Sequence, residues 1–272
     1  MHSQAELDEV RGTFGTVVYD SIRKKDDLFS HNFWKYALRS VFATLFLTMG
    51  TAVAMQGGQI ANGIAPGLGK FVFAFLFAWS LVMIVYMDGE LATSNMMFMT
   101  VGTQKKYITF GRGLKILMTC VLFNMIGGII FAWMMSQTSI FQNLPADHFL
   151  YTAVSAKFAK TPWIIFMEGI FANVAVNTAV FSSNRMTNGD GRVISIIFII
   201  FIFAFLGDEH VIANFCSFPL AFFSNGGAIP GMTVGSVLTN YVMTFLGNFA
   251  GGGLLIGWGY YWLNKNEKVY LD

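Results

Sequence analysis

A cluster of ionisable residues interrupts a stretch of this chain that is otherwise apolar enough to cross a membrane. Residues 207–210 (Gly-Asp-Glu-His) follow fourteen uncharged, almost wholly apolar residues at 193–206, and a second apolar stretch follows at 215–223. Ionisable groups at membrane depth are costly and by default mark the path of a substrate or an ion. The helix must also break here, which is tolerated only where the backbone lines a cavity or is buried in protein. The pattern therefore predicts a pore or a transporter.

The composition agrees with a protein that crosses the membrane several times. Of the 272 residues, 55% are hydrophobic and 12% are charged, about half the charge of an ordinary soluble domain. Cys120 and Cys216 lie in apolar stretches, where cysteine usually acts as a small buried hydrophobe. The sequence has no zinc-ligand spacing, P-loop, nucleophile elbow or dinucleotide fingerprint. We therefore expect a protein that is not an enzyme, with no catalytic residues, no metal or other cofactor, and no nucleic-acid partner.

Apolar stretches predict an all-α membrane protein with six transmembrane helices. The predicted spans are 34–55, 71–87 continued by 96–101, 114–135, 163–181, 193–206 continued by 214–223, and 237–263. This divides the chain into a cytoplasmic N-terminal segment at 1–32, a six-helix transmembrane domain at 33–264 and a cytoplasmic C-terminal tail at 265–272. A short interfacial helix is predicted around residues 19–26.

Basic residues predict the orientation of these spans. Of the 17 Lys and Arg residues, only Lys70, Lys157 and Lys160 lie on the outer side when both termini are placed in the cytoplasm. Cytoplasmic loops retain Lys and Arg, so the asymmetry is a strong orientation signal. We expect a protein integral to the cell membrane, in contact with membrane lipid, with both termini cytoplasmic.

Two sequence elements occur twice, in the same order and about 120 residues apart. A glutamate is followed five positions later by an asparagine at 90–95 and again at 209–214, and Asn-x-x-Gly-Gly occurs at 124–128 and 248–252. Each half holds three spans, so the halves must lie in opposite orientations as an inverted repeat. In such folds the substrate site lies near the midplane, where the paired broken helices meet. Their N-termini favour an anion, and the glycines let helices approach closely.

Four motifs in a fixed order are specific enough to indicate a family. Residues 207–214 match Gly-x-Glu-His-x-x-Ala-Asn, residues 90–95 resemble an acidic-Leu-Phe-Thr loop, Gly169 with Asn173 matches Gly-x-x-x-Asn, and residues 247–252 match a sixth-span motif. From about residue 33 onwards the chain thus resembles the formate/nitrite transporter family. The resemblance implies an aquaporin-like protomer in a homopentamer, with the second and fifth helices broken. Family members pass small monovalent anions or their acids: formate, nitrite, lactate, acetate or hydrosulfide.

The resemblance also implies roles for residues of the substrate pathway. His210 is the central pore histidine, Thr93 is its partner on the loop of the second span, Lys157 is the lysine of the outer vestibule, and Asn248 lies near the histidine. Apolar constrictions are implied on one side at Phe77, Leu81 and Phe203, and on the other side at Leu91 and Val176.

Ala92 departs from the family pattern, because many members carry Phe at this position. The missing ring predicts a wider inner constriction, and therefore makes lactate plausible beside formate.

Two carboxylates are expected to be structural rather than in contact with substrate. A carboxylate lining an anion pore would repel its cargo, whereas one behind the loop can accept hydrogen bonds from backbone N–H groups and fix the break. We therefore expect Glu90 and Glu209, with Asn95 and Asn214, to be structural at the helix breaks. Lys160 is expected to be a solvated lysine near the end of a span.

Desolvation predicts how an acid would cross the apolar constrictions. A bare formate ion would meet a large desolvation cost that the neutral acid avoids. We expect Lys157 and the half-helix dipoles to draw the anion into a vestibule, where the falling dielectric raises the pKa of formate and the anion takes up a proton. The acid would then pass Phe77, Leu81 and Phe203. The proton comes either from bulk water or from His210.

Three alternatives stay open at this stage. The first is a nitrite or hydrosulfide channel of the same family. The second is a neutral-solute facilitator of the aquaporin type, although its paired Asn-Pro-Ala loops are missing from this sequence. The third is a membrane enzyme that uses His210 and Glu209 as acid and base, although no second catalytic cluster accompanies them.

Overall fold

The computed structural model describes residues 14–265 of the chain, and within them all regular structure is helical. The predicted terminal segments lie partly outside this range, at 1–13 and 266–272. The helices are α1 (Phe14–His31), α2 (Phe33–Ile64), α3 (Leu68–Tyr86), α4 (Ala92–Gln104), α5 (Phe110–Ser136), α6 (Phe149–Phe158), α7 (Pro162–Arg185), α8 (Gly189–Leu206), α9 (Val211–Ser224), α10 (Val234–Asn248) and α11 (Gly259–Leu263). A 3-10 turn at Ser139–Phe141 precedes α6, and a π-helical segment at Phe249–Trp258 joins α10 to α11.

Six helices are long and apolar enough to cross a membrane, as the sequence predicts. They are α2, α3, α5, α7, α8 and the continuous stretch from α10 to α11. Helices α4 and α9 are shorter, with 13 and 14 residues, and they directly follow α3 and α8. The first span is longer than predicted, because α2 continues as a helix to Ile64.

The chain leaves the helical conformation between α3 and α4 and again between α8 and α9. Gly207 ends α8 with a left-handed φ of 84°, and its N–H donates to the Phe203 carbonyl at 3.0 Å. A glycine adopts this conformation without a side-chain clash, so it ends a helix cleanly. After α3, Asp88 has a left-handed φ of 53°. Both interruptions coincide with the ionisable clusters that predicted them.

Helix packing brings the two halves of the chain together. Helix α2 packs on α3 and α5, and α7 packs on α8 and α10. Helices α3 and α8 pack on each other, α9 packs on α5, and α4 packs on the π-helical segment. A Cβ added at Gly128 would lie 2.6 Å from the Phe215 carbonyl oxygen, and one at Gly251 would collide with the Ile170 backbone. These glycines therefore permit the close helix contacts that the sequence predicts.

The N-terminal helix α1 is longer than the predicted helix at 19–26. It packs against α2, α4, α5 and α7, and it buries Val18 and Ile22. Both cysteines are buried and free, as their apolar surroundings suggest.

Candidate functional site

The N-termini of α4 and α9 meet in the centre of the molecule, and they place His210 against Thr93. His210 is the N-cap of α9, and Thr93 lies in the first turn of α4. The His210 Nε2 and the Thr93 Oγ1 are 2.8 Å apart, and both side chains are buried. The structure therefore brings together the two polar residues that the family resemblance paired, one from each interruption in the sequence.

The hydrogen bonds of His210 define its protonation state. Its Nδ1 accepts from the backbone N–H of Ala213 at 3.1 Å. A backbone N–H can only donate, so Nδ1 carries no proton. We therefore assign the proton of the neutral ring to Nε2, which donates to the Thr93 hydroxyl oxygen. An imidazolium at this position would lose the cap of α9 and place a cation at a helix N-terminus, where the dipole disfavours it.

Three cavities follow one another past this pair. The Lys157 cavity, about 450 Å³ in volume, is lined by Lys157, His210, Phe77 and Phe203 among others. A central chamber of about 20 Å³ shares the last three of these residues. The Lys25 cavity, about 490 Å³ in volume, lies beyond the chamber and has no lining residue in common with the Lys157 cavity. The chamber therefore separates two wide cavities.

Apolar side chains form both ends of the central chamber. Phe77 and Phe203 stand edge to face with ring centroids 5.9 Å apart, and they lie between the Lys157 cavity and the chamber. Leu81 and Leu91 lie between the chamber and the Lys25 cavity, while Val176 lines the chamber alone. The sequence grouped Leu81 with the two phenylalanines, and this grouping is wrong: from α3, one turn beyond Phe77, its side chain faces the opposite end of the chamber.

Glu209 is fully buried behind the break, as expected, but its partners differ from the expected backbone N–H groups. Its Oε2 accepts from Lys157 Nζ at 2.9 Å and from Asn214 Nδ2 at 2.7 Å, and its Oε1 accepts from Lys160 Nζ at 2.8 Å. Asn240 contributes a longer bond of 3.4 Å. Lys160 also donates to Glu168 at 2.5 Å. Lys160 is therefore part of this cluster and not the freely solvated lysine that its sequence position suggested.

Glu90 has a corresponding cluster at the other break. Its Oε2 accepts from Lys25 Nζ at 2.5 Å and from Asn95 Nδ2 at 3.3 Å. Lys25 comes from α1 and is buried. Lys25 could not be identified from the sequence, because a lysine in a polar N-terminal segment carries no sign of a partner 65 residues away. The only available signal was the buried carboxylate itself, which requires a partner.

Two asparagines hold the breaks in matching ways. Asn124 donates to the carbonyl oxygens of Ser40 and Glu90 at 2.6 and 2.9 Å, and it accepts from the Ala92 N–H at 2.9 Å. Asn248 makes the three corresponding hydrogen bonds at the other break.

Asn248 donates to the carbonyl oxygens of Gly169 and Glu209 at 2.8 and 2.9 Å, and it accepts from the Val211 N–H at 2.9 Å. It is completely buried, and it lines none of the three cavities. Its predicted place on the substrate pathway is therefore corrected: its amide holds the backbone that carries His210.

Ala92 also lies away from the cavities. It is completely buried at the start of α4, and it lines none of the three. Its N–H is held by Asn124, so its Cβ packs among helices. The predicted effect of Ala92 on the inner constriction is therefore not supported, because Leu91 rather than Ala92 faces the chamber.

The profile of the formate/nitrite transporter family matches residues 16–262, which is nearly the whole chain. The chain belongs to the formate/nitrite transporter family. Its members are transporters and channels rather than enzymes, so the protein is a membrane transporter of this family. Members move anions, and the six apolar helices make this chain an integral membrane protein.

Similar proteins extend this comparison. An uncharacterized transporter of Bacillus subtilis, YwcJ, is 28% identical over 248 residues, covering 90% of this chain and 94% of YwcJ. A solved structure of an FNT family ion channel superposes with a TM-score of 0.84 at 22% identity, covering 92% of this chain and 99% of that one. A pentameric formate channel with formate bound superposes with a TM-score of 0.73 at 22% identity, covering 86% and 98%. Both likenesses show that the fold is that of the family.

Proposed function

We propose that this protein moves small monocarboxylates across the membrane, with formate as the first substrate, and that movement is linked to protons. The observation that carries the proposal is the small apolar chamber, closed at one end by Phe77 and Phe203 and at the other by Leu81 and Leu91, with the His210–Thr93 pair beside it. An anion would lose its water there without a cation to replace it, whereas the neutral acid carries no charge to desolvate.

The size of the chamber favours formate over lactate. Its volume of about 20 Å³ is close to the minimum that a single water molecule requires, about 10–15 Å³ by the same kind of measure. A one-carbon acid needs only small side-chain movements to pass. Lactate requires a larger opening, and Ala92 does not supply it because it lies behind the chamber wall. We therefore expect lactate to be a poorer substrate than formate.

The protonation state of His210 favours bulk water as the source of the proton. The ring is neutral with its proton on Nε2, and Nδ1 is occupied by the Ala213 N–H. Donation from the neutral ring would leave an imidazolate, which is far too basic to form here. We therefore infer that formate takes its proton in the wide Lys157 cavity. The Thr93 hydroxyl and the His210 ring then serve as the polar contact for the passing acid.

The two halves are proposed to be an inverted repeat whose second and fifth spans are each broken once. Asn124 and Asn248 support this, because each binds the carbonyl of the break glutamate and the N–H two residues later. The packing supports it as well, since exchanging the halves turns the α2–α3 contact into α7–α8 and the α2–α5 contact into α7–α10. Three spans in each half then require opposite orientations.

The Lys157 cavity is proposed to open to the outside and the Lys25 cavity to the cytoplasm. The support is the distribution of Lys and Arg along the chain, which places both termini in the cytoplasm of a cell-membrane protein. A homopentamer is proposed from the likeness to the pentameric formate channel. Each subunit would then carry its own pathway, because the three cavities lie within one chain.

Nitrite and hydrosulfide are the nearest alternative substrates. Both are small, and both become neutral by taking up a proton, so the same chamber would admit their acids. A water or glycerol facilitator of the aquaporin type is a weaker alternative, since the buried Lys–Glu clusters at both cavities have no evident use for an uncharged solute.

Uptake of radiolabelled formate, nitrite and lactate into proteoliposomes, measured over a pH series, tests the proposal. We expect formate uptake to exceed lactate uptake and to rise as the external medium is acidified. Protein-free liposomes are the control, because formic acid crosses lipid on its own. Uptake of nitrite far above that of either carboxylate would contradict the choice of substrate, while uptake of none of the three would contradict anion transport by this chain.

A further inference from the structure

Asp208 lines the Lys157 cavity and has no role in the pathway described above. It follows Gly207, the residue that ends α8, and it precedes the buried Glu209. Its Oδ2 is shielded from water and has no hydrogen-bond partner within residues 14–265. A carboxylate oxygen without a donor is costly to keep charged, and a proton on the group removes that charge. The position is therefore suited to a carboxyl that changes its protonation state.

The charged groups around Asp208 come from five parts of the chain. Glu168 of α7, Glu209 beside it, Lys160 of the loop before α7 and Lys157 of α6 all act on its charge. Lys70 of α3 lines the same cavity. The imidazole of His210 also lines it, but that ring is held neutral by its bond from the Ala213 N–H.

Most of these charges cancel. Lys157 and Lys160 are bound to Glu209, and Lys160 is also bound to Glu168, so two cations balance two anions. This leaves Lys70 and Asp208. With Asp208 ionised, the cavity has no net charge. With Asp208 protonated, the charge of Lys70 is left over and the cavity attracts an anion.

We propose that Asp208 is the proton-accepting group that controls access of the anion to the Lys157 cavity. The ionised carboxylate cancels the attraction of Lys70 for a small monocarboxylate, and the protonated carboxyl leaves that attraction in place. The proton comes from water on the open side of the cavity and forms one O–H bond on Asp208, with no other bond changed. The inference rests on the proposed function. It adds to it a residue whose protonation strengthens binding of the anion as the medium becomes more acidic.

The Asp208→Asn variant tests this, because its side chain has the shape of the protonated acid at every pH. In proteoliposomes we expect its KM for formate in mildly alkaline medium to be roughly fivefold lower than that of the wild type, which is the effect of one unit charge about 4 Å away in water. In mildly acidic medium the two KM values should converge. Maximal flux should change little, because the apolar chamber is untouched.

Two further variants serve as controls. Asp208→Glu keeps a titratable carboxyl and should keep the pH dependence of KM. Asp147→Asn removes the same charge from an exposed residue in the loop before α6 that lines none of the three cavities, and it should behave as the wild type. A pH dependence of KM that is the same in Asp208→Asn and the wild type would overturn the proposal.

An infrared titration of the purified protein tests whether Asp208 takes up a proton, and it needs no transport measurement. The carbonyl stretch of a protonated carboxyl should appear in the wild type on mild acidification and should be missing from Asp208→Asn. Identical difference spectra for the two proteins would overturn the proposal. Wild-type liposomes that carry no labelled formate would contradict the proposed function alone, and the infrared titration would still show whether Asp208 takes up a proton.

Discussion

The imidazole Nε2 of His210 and the hydroxyl Oγ1 of Thr93 lie 2.8 Å apart, although 117 positions separate the two residues in the chain. Each sits at the N-terminal end of a short helix that follows a longer one, and each is buried. The pair is the one direct polar contact between side chains of these two helices beside the central chamber in the part of the chain that the structure describes.

Replacement of His210 with Phe should reduce formate flux by at least about tenfold, since the passing acid would lose a contact worth about 1.4 kcal/mol or more. The variant loses the cap bond to Ala213 as well as the bond to Thr93. Losing the cap costs about 1 kcal/mol, so the oligomer should still assemble. Radiolabelled formate uptake and size-exclusion chromatography measure the two effects. Thr93→Ser, which keeps the hydroxyl, is the matched control and should retain most of the flux. Equal uptake by His210→Phe and the wild type would refute the role of His210.

Replacing either break asparagine with leucine should destabilise the protein strongly. Asn124→Leu and Asn248→Leu each remove one hydrogen-bond partner from three backbone groups, and a buried group left unsatisfied costs about 1–3 kcal/mol. The thermal midpoint of the purified protein in detergent measures the effect. Asn32→Leu is a suitable control, because Asn32 is exposed and its side chain makes no cap bond at the start of α2. A midpoint in Asn248→Leu as high as in the control would show that the amide does not hold the break.

Lys157 and Lys160 should act together on stability. Lys157→Met leaves Glu209 bound to Lys160, whereas the double change to Met leaves a buried anion without a cation, at a cost of about 3–5 kcal/mol. We therefore expect the double variant to lose much more stability than the two single variants combined, which a double-mutant cycle measures. Adding Glu209→Gln to the double variant removes the unpaired charge and should restore part of the loss. Purely additive losses would mean that the two lysines do not share Glu209.

Ala92→Phe should destabilise the protein rather than change its choice of substrate. Ala92 is completely buried and faces none of the three cavities, so a ring there overpacks the helices at a cost of about 1–3 kcal/mol. The ratio of lactate to formate flux should stay the same, while the thermal midpoint falls. Leu91→Phe is the informative comparison, because Leu91 lines the chamber and a larger side chain there should reduce flux. A selective loss of lactate flux in Ala92→Phe would restore the original expectation that Ala92 widens the constriction.

The sequence predicts the six apolar spans well, and it does so for a physical reason. Asp208 and Glu209 stand out because a charged group in an apolar run has few explanations. His210 stands out in the same way, whereas its pairing with Thr93 is implied by the resemblance to the family and not by the charge pattern. Phe77 and Phe203 line the chamber together with Leu81, and only the turn of α3 determines that Leu81 lies at its other end.

The partners of the two buried glutamates could not be predicted. Lys25 and Lys160 lie in polar segments, where lysine is common and needs no explanation, and their contacts depend on how α1 and the loop before α7 fold back onto the breaks. The amide of Asn248 was misplaced for a related reason, because closeness to His210 along the fold does not show which way a side chain points. Sequence patterns locate buried charge, whereas tertiary packing determines what neutralises it.

The central claim is that formate crosses the chamber as the neutral acid. Measuring the charge that crosses with each formate tests this most directly. Proteoliposomes loaded with a pH-sensitive dye should take up a proton with each labelled formate, and a potassium diffusion potential of either sign should leave the initial rate unchanged, because the neutral acid carries no charge across Phe77, Phe203, Leu81 and Leu91. A formate uptake rate that follows the imposed potential, without proton uptake, would show that the bare anion crosses and would contradict the account.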